Sequence, residues 1–281
     1  MDKLKVVLIT QEEPFYLPKM IRHILAKQGE DFEVVAATRL QPHRKNKTMK
    51  DWVLERTQVY TYWELFITTV LFVYAKIIGG LQGRLTGINP FKVGSYYNSY
   101  GIPEVETIDL NDLDYVKRLE EYKPDLVVSI SPPQIFKAEL LNVAKIHSLN
   151  VHGTLLPRHR GVFGSWWTIY SEDKEAGGTI HTMELKLDAG EIAWQEAFPV
   201  EKDDTQYSIA YKTKKSMSIG LIDTFRKIRM GSLEMKAVEY ATSYHRAPTR
   251  ELGKEFHKSG KRVITIRDAV RVTHKSFRIK P

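Results

Sequence analysis

The chain has 281 residues, of which 42% are hydrophobic and 27% are charged, and its formal net charge is +8. These proportions allow a sizeable hydrophobic core and exclude a chain that is disordered throughout. The sequence contains no cysteine, which excludes disulfide frameworks, thiolate metal sites and cysteine nucleophiles. The first residues lack the basic, apolar and small-residue regions of a secretory signal peptide, so a cytoplasmic location is expected.

Buried strands and a helix alternate at the beginning of the chain. Residues 4–10 and 32–38 are apolar runs, and a periodic segment from near Pro14 to about residue 27 separates them. This order predicts a parallel α/β sheet. A dinucleotide site would need a GxGxxG motif directly after the first strand, but two acids, Glu12 and Glu13, follow it. A nicotinamide cofactor is therefore not expected at this turn.

Residues 63–80 are the most apolar stretch of the chain. Glu64 and Lys76 leave only eleven uncharged residues between them, whereas a membrane-spanning helix needs about 20. The favoured interpretation is a buried or partner-packed helix, with a membrane-surface helix and a spanning helix as alternatives. The glycines that end and follow this stretch, Gly79, Gly80 and Gly83, are interpreted as a helix C-cap and loop.

The α/β pattern resumes with an expected strand at 105–110 and continues to about residue 230. A helix is expected to begin at Asn111 or Asp112, and another should end near residue 145. Strands are predicted at 125–130, 148–151, 178–185 and 192–200, and a long helix at 204–228. The first of these strands should stop at the SPPQ sequence of residues 131–134, because proline cannot continue a strand ladder.

The strand at 148–151 delivers two polar side chains to one face of the sheet. Asn150 and His152 are separated by one residue, so their side chains point the same way. Gly153 and Pro157 then end the strand. Ligands of open α/β sheets bind beyond the carboxyl ends of the strands. A single histidine at the end of a strand more often has a structural role than a functional one. The Asn-x-His pair makes a functional role more plausible but does not decide between the two.

A second polar segment follows about 35 residues later. His181 lies on a predicted strand, which leads to the turn sequence Asp188-Ala189-Gly190. Taken alone, Asp188 is best interpreted as a turn residue whose side chain bonds its own backbone.

Taken together, the two segments resemble the folate-dependent formyltransferase family. Its members share an Asn-x-His-x-Ser/Thr-Leu-Leu-Pro stretch and, some 35 residues on, an Asp-x-Gly turn. In this sequence the first stretch is residues 150–157, which read NVHGTLLP, and the turn is residues 188–190. The form of the first motif is most similar to the methionyl-tRNA formyltransferase and sugar N-formyltransferase branches.

The resemblance implies a Rossmann-like α/β fold with a mostly parallel sheet flanked by helices. Residues 1–230 would form the catalytic domain and residues 231–281 a short basic C-terminal extension. It also implies 10-formyltetrahydrofolate as formyl donor and a primary amine as acceptor. Asn150 would stabilise the oxyanion, His152 would move the proton, and Asp188 would orient the imidazolium and raise its pKa. No metal is required, in keeping with the lack of cysteine and of an HExxH motif.

By the same resemblance, two segments would contact the pterin end of the donor through backbone atoms. They are Ser131, Pro132, Pro133, Gln134 and Ile135, and Leu185, Lys186 and Leu187. Four further residues could meet an anionic acceptor or stack on its base: Arg158, Arg160, Gly161 and Trp166, although solvated arginines and a core tryptophan remain the alternatives. His181 has either a supporting role or a role in the core.

The nature of the acceptor is left open by the sequence. Residues 231–281 hold twelve lysines and arginines against five acids, which suggests an acidic partner or a soluble extension. They are few for the separate barrel of the transfer-RNA branch. An amino sugar on a nucleotide diphosphate, or a similar small amine, is therefore preferred. Methionyl-tRNA, hydrolysis of the formyl donor and a non-catalytic folate-binding protein are the alternatives, and a homo-oligomer is expected.

Overall fold

A six-stranded sheet forms the centre of the computed structural model, which describes residues 2–42, 48–237 and 244–277. The strands are β1 (Leu4–Gln11), β2 (Phe32–Leu40), β3 (Leu126–Ile130), β4 (His147–His152), β5 (Arg160–Gly161), β6 (Glu175–Thr182), β7 (Ile192–Pro199) and β8 (Tyr244–His245). The helices are α1 (Leu17–Leu25), α2 (Met49–Thr57), α3 (Tyr62–Thr86), α4 (Val93–Ser99), α5 (Leu113–Glu120), α6 (Ala138–Leu141), α7 (Gly164–Tyr170), α8 (Gln206–Met230), α9 (Arg250–Lys258) and α10 (Ile266–Thr273).

The order of the large sheet is β2-β1-β3-β4-β6-β7, and β5 pairs with β8 in a separate two-stranded sheet. Strands β2, β1, β3 and β4 are parallel, whereas β6 and β7 run antiparallel to their neighbours. The strand order reverses around β1, so the carboxyl ends of β1 and β3 border the crevice in which sheets of this type bind ligands. The prediction of a mostly parallel α/β sheet is confirmed.

Both faces of the sheet are covered, which explains the continuous apolar runs of the parallel strands. In β1, Val6 and Leu8 belong to the larger hydrophobic cluster, and Val7 and Ile9 belong to a second cluster on the opposite face. All four are completely buried.

The turn after β1 is filled by its own side chains. Glu13 accepts hydrogen bonds from the backbone N–H groups of Phe15, Tyr16 and Leu17, at 2.7 to 3.0 Å. Glu12 pairs with Arg39 at 3.0 Å. A carboxylate therefore occupies the start of α1, where a dinucleotide fold would place its pyrophosphate.

The structure corrects three details of the sequence interpretation. Residues 105–110 form no named strand, and the helix expected to end near residue 145 is only the single turn α6. The glycines at 79–83 do not end a helix, because α3 continues to Thr86 and is capped by Gly87 at φ +76°. Gly79 lies within α3, and the position favours glycine because a Cβ there would stand 2.5 Å from Asn89 Oδ1.

The C-terminal segment shares the core of the rest of the chain. Phe256, Val263, Val272 and Phe277 belong to the larger hydrophobic cluster, and the buried Lys19 of α1 donates to the Val272 carbonyl at 2.8 Å. Residues 238–243 and 278–281 of the predicted basic extension lie outside the described residues.

Candidate active site

Three strands bring polar side chains into one row at the carboxyl end of the parallel sheet. Ser129 of β3 is the register partner of Asn150 of β4, and Asn150 lies directly opposite His181 of β6. The row borders a cavity of about 970 Å³ that is also lined by His152 and Asp188. This volume is within the range of small-molecule sites.

The Asn150 amide is held by its two neighbours in the row. Its Oδ1 accepts from the Ser129 hydroxyl at 2.9 Å, and its Nδ2 lies 3.1 Å from His181 Nε2. His181 Nδ1 lies 2.8 Å from the Thr182 carbonyl and must donate to it, so Nε2 is the acceptor for Asn150. The second N–H of the amide is left to face the cavity, where it can donate to a developing oxyanion.

His152 lies almost completely buried beside Asp188. Its Nε2 donates to the His159 carbonyl at 3.2 Å, and its Nδ1 is 3.5 Å from Asp188 Oδ1. Because Nε2 carries the proton of the neutral ring, Nδ1 is the nitrogen that can accept a proton next to the carboxylate.

Burial outweighs the carboxylate in setting the charge of His152. Desolvation lowers its pKa below the usual 6.5, and Asp188 opposes this shift only in part. Asp188 does raise the pKa of His152, as the resemblance implied, but the burial of the imidazole has the larger and opposite effect. Burial and the adjacent His152 also lower the pKa of His181. Both histidines are therefore neutral at pH 7.

Asp188 is positioned by an unusual backbone and a glycine contact. It has a left-handed φ of +48°, and its Oδ2 accepts from the Gly161 N–H at 2.9 Å. Gly161 itself has a φ of +99°, and a Cβ there would lie 2.3 Å from the His245 carbonyl oxygen. The pairing of β5 with β8 thus fixes the position of the Gly161 N–H, which donates to the Asp188 carboxylate.

Gly161→Ala tests whether the Gly161 N–H positions the Asp188 carboxylate, as distinct from the general effect of an alanine at a positive φ. The variant should lower kcat/KM by about tenfold to a hundredfold, because a displacement of about 1 Å at a catalytic group can have an effect of that size. Gly101→Ala is the matched control, since Gly101 also has a positive φ of +67° but no atom lies within 4 Å of the added Cβ. Gly101→Ala should lose roughly 1 kcal/mol of stability from its positive φ, and Gly161→Ala should lose more, because the His245 backbone must also shift. Equal activities in steady-state assays would contradict the positioning role.

His152, His181 and Asp188 also form a group whose ligand atoms lie within 4.8 Å of one another, close enough for a metal ion. The bonding of His181 argues against that use. Its Nδ1 donates to a carbonyl and its Nε2 accepts from Asn150, so a cation would have to displace the amide. The arrangement fits an acid–base group better than a metal site.

The loop after β3 borders the cavity at every position from Ser131 to Ile135. Gln134 is held from below: its side chain accepts from Leu110 N–H at 2.9 Å and donates to the Ile108 carbonyl at 2.8 Å. The second segment assigned to the donor, residues 185–187, borders the cavity only in part. Leu187 lines the cavity, whereas Leu185 and Lys186 do not.

The four residues assigned to the acceptor are not brought together. Gly161 lines the cavity, and Arg158, Arg160 and Trp166 do not. Arg158 pairs loosely with Asp173 at 3.7 Å.

Two of these assignments are wrong. Trp166 is fully buried and stacks on Tyr170 and Phe256, because α7 packs its aromatic face against α9. Arg160 is buried as well, and its guanidinium donates to the Leu187 carbonyl, so it fixes the loop before Asp188.

Two groups of cavity residues were missed by the sequence interpretation. Lys214 of α8 reaches the cavity from below and donates to the Ser131 hydroxyl at 2.6 Å. Burial lowers its pKa to about 8. Tyr244 and Arg246, from the basic C-terminal segment, line the mouth. The sequence signal for Lys214 was its place among the inward positions of the long helix α8. Arg246 was signalled only by the basic composition of residues 231–281, and Tyr244 had no signal.

Residues 75–225 match the family described as Formyl transferase. The chain belongs to this family. Over 151 residues it is 34% identical to the methionyl-tRNA formyltransferase of Lactobacillus gasseri, covering 54% of this chain and 48% of that protein. The chain spans about half the length of the methionyl-tRNA formyltransferases it matches.

Solved structures of formyltransferases share the fold. A sugar N-formyltransferase from a Shewanella species aligns with a TM-score of 0.54 and 19% identity, covering 86% of this chain and 76% of that one. A phosphoribosylglycinamide formyltransferase from Anaplasma phagocytophilum aligns with a TM-score of 0.57 and 16% identity, covering 86% and 96%. At these identities the likeness concerns the fold alone.

Proposed function

We propose that this protein transfers a formyl group from 10-formyltetrahydrofolate to a primary amine. The observation that carries the proposal is that Asn150, His152 and Asp188 line one cavity. All three belong to the two sequence motifs, in a chain that matches the formyl transferase family. The donor supplies the formyl carbon that the amine attacks. The loop from Ser131 to Ile135 and the segment that ends at Leu187 are proposed to receive its pterin end.

The residues divide the chemistry between them. His152 Nδ1 accepts the proton that the amine loses on attack, and Asp188 stabilises the imidazolium that results. Asn150 Nδ2 donates to the oxygen that becomes negative in the tetrahedral intermediate. The proton on His152 can then pass to the leaving nitrogen of the donor, which returns the ring to its neutral state.

An amino sugar carried by a nucleotide diphosphate, or a similar small anionic amine, is the acceptor that we favour. Arg246 supplies a cation at the cavity mouth, and Tyr244, which is 45% exposed, offers a ring for stacking a base. Methionyl-tRNA is the second candidate, because the described C-terminal segment is basic and the Lactobacillus gasseri relative carries that name.

A donor-turnover assay tests the proposal. The purified chain is incubated with 10-formyltetrahydrofolate alone, then with nucleotide-linked amino sugars, and then with methionyl-tRNA. Turnover that needs an amine, with a formylated product detected by mass spectrometry, is the expected result. Turnover without an amine would instead indicate hydrolysis of the donor, and no turnover with the whole panel would favour a folate-binding protein.

The pH dependence of kcat/KM is expected to report two buried ionisable groups, His152 and Lys214. The acidic limb should fall below pH 6.5, because His152 must be neutral to accept a proton and burial lowers its pKa. The alkaline limb should begin near pH 8, where the Lys214 ammonium loses its proton. The cavity then loses a positive charge that would help to stabilise the oxyanion formed within it.

Lys214→Met should lower the plateau and abolish the alkaline limb. Lys215→Met, one residue along α8 and outside the cavity lining, is the control and should keep the wild-type profile. The wild type and both variants are assayed with the same acceptor, so that the ionisation of the acceptor amine affects all three pH profiles equally. An alkaline limb that survives in Lys214→Met would contradict the role given to this lysine.

A further inference from the structure

Helix α3 has two apolar sides, whose centres lie about 120° apart around the helix axis, and only one of them is covered. Its buried side runs from Glu64 to Gly79 at a spacing of three or four residues and also contains Ile67, Leu71 and Ala75. The helix is long and apolar enough to cross a membrane by length and composition.

The second apolar side of α3 is exposed to solvent. It forms a continuous face of large apolar side chains, hereafter the α3 face: Trp63, Phe66, Val70, Val73, Tyr74, Ile77, Leu81 and Leu85. At 100° per residue these positions fall within about 120° of the helix circumference. Trp63 and Phe66 stack on each other at 5.4 Å while remaining 59% and 58% exposed. Single exposed apolar residues are ordinary, but a continuous face of this length marks a binding surface.

The contacts of α3 exclude a spanning orientation. Glu64 accepts from the Val263 backbone N–H at 2.7 Å and lies 3.3 Å from His257. Phe72 packs against Phe15, and Tyr74 packs against Phe91. The helix is therefore attached to the folded body along its length and can only lie flat on a surface.

Basic residues border the α3 face. Glu64 is the only acid of α3 and is buried, whereas Lys76 and Arg84 are exposed. At the Trp63 end, α10 packs against α3, and a cleft of about 670 Å³ between them is lined by Arg262 and Arg267. Arg267 pairs with the exposed Asp203 at 2.8 Å, and such surface pairs are weak.

The apolar face also continues onto α10. Ile266 and Val270 are 61% and 58% exposed, and both lie on the helix that carries Arg267. The combination of an apolar face, exposed aromatic rings and bordering cations matches the surface of an anionic lipid bilayer.

We propose that the α3 face, with Ile266 and Val270, docks this protein flat on an anionic membrane surface, with lipid phosphates against Arg262 and Arg267. A second copy of the chain matches the α3 face less well than a membrane surface does. A helix pair would need a seam at positions 63, 66, 70, 73 and 77, and the next positions of that seam are Gly80 and Arg84. The apolar face instead follows the 3.6-residue period to its end at Leu85, which suits a planar surface. The proposal does not depend on the catalytic activity.

Vesicle flotation tests this proposal directly. The 281-residue chain is mixed with vesicles of phosphatidylcholine, with or without phosphatidylglycerol, and the bound fraction is measured. We expect binding to the anionic vesicles at least tenfold tighter than to the neutral ones. Trp63→Ser combined with Phe66→Ser should weaken binding by about tenfold or more. Arg262→Gln combined with Arg267→Gln should weaken it roughly thirtyfold, and only on anionic vesicles.

The control is a pair of equally exposed apolar residues outside the face. Ile108→Ser combined with Leu113→Ser should bind as the wild type does. Circular dichroism and the thermal midpoint establish that every variant is folded. Light scattering without vesicles gives the mass. A dimer that Trp63→Ser and Phe66→Ser convert to a 32.5 kDa monomer would overturn the proposal in favour of a second copy. Lack of binding by the wild type, or binding unchanged in the double variants, would overturn it as well.

Discussion

His152→Ala is expected to lower kcat/KM for formyl transfer by about 10²- to 10⁴-fold, the range for loss of a positioned general base. The neutral ring has one free nitrogen, Nδ1, which lies 3.5 Å from Asp188. The variant removes both this proton acceptor and the imidazolium that the carboxylate would stabilise. Binding of the folate donor should change little, because the loop at 131–135 is assigned to that task.

The measurement pairs steady-state kinetics with donor binding by fluorescence or calorimetry. His147→Ala is the matched control, since His147 begins the same strand and does not line the cavity. That variant should retain nearly full activity. A His152→Ala protein with wild-type kcat/KM would remove this residue from the mechanism, and a loss confined to donor affinity would reassign it to binding.

Asn150→Ala is expected to lower kcat by about 10²- to 10³-fold, the range for loss of one oxyanion donor. The amide is held by Ser129 on one side and by His181 on the other. Its remaining N–H therefore needs no reorganisation when the negative charge develops. KM should change little, since the bond strengthens only as the oxygen becomes charged.

Ser148→Ala is the comparison for Asn150→Ala. Ser148 lies two residues earlier on the same face of β4, and its hydroxyl donates to the Leu141 carbonyl, away from the cavity. A small stability loss with unchanged kcat is expected for this control. If Asn150→Ala raised KM alone, the amide would be a binding group and not an oxyanion donor.

The order and spacing of Asn150, His152 and Asp188 in the sequence were sufficient to suggest the chemistry proposed for them. The spacing of Asn150 and His152 placed both on one face of a strand, because side chains alternate along β-structure. The two linked motifs indicated the family, and the match over residues 75–225 confirms it. The buried strands were equally readable, since both faces of the parallel sheet are covered and each strand becomes a continuous apolar run.

Residues outside the motifs were harder to place. Trp166 and Arg160 follow the catalytic strand closely, and their proximity in sequence suggested contact with the acceptor. Their side chains instead turn into the protein, because α7 must cover the sheet and the Leu187 carbonyl needs a donor. Lys214 shows the opposite case. It lies 62 positions after His152 in the sequence, and only the packing of α8 beneath the sheet brings its ammonium to the cavity.

The sequence by itself determined the α/β class, the family and the three residues that carry the proposed chemistry. Local rules decide these features: the period of a strand, the capping of a helix and the spacing of a motif. The tertiary structure decided the register that sets Ser129, Asn150 and His181 in one row, the neutral state of both site histidines, and the exposure of one side of α3. Strand register, burial and packing depend on contacts between residues distant in sequence, and no local pattern records them.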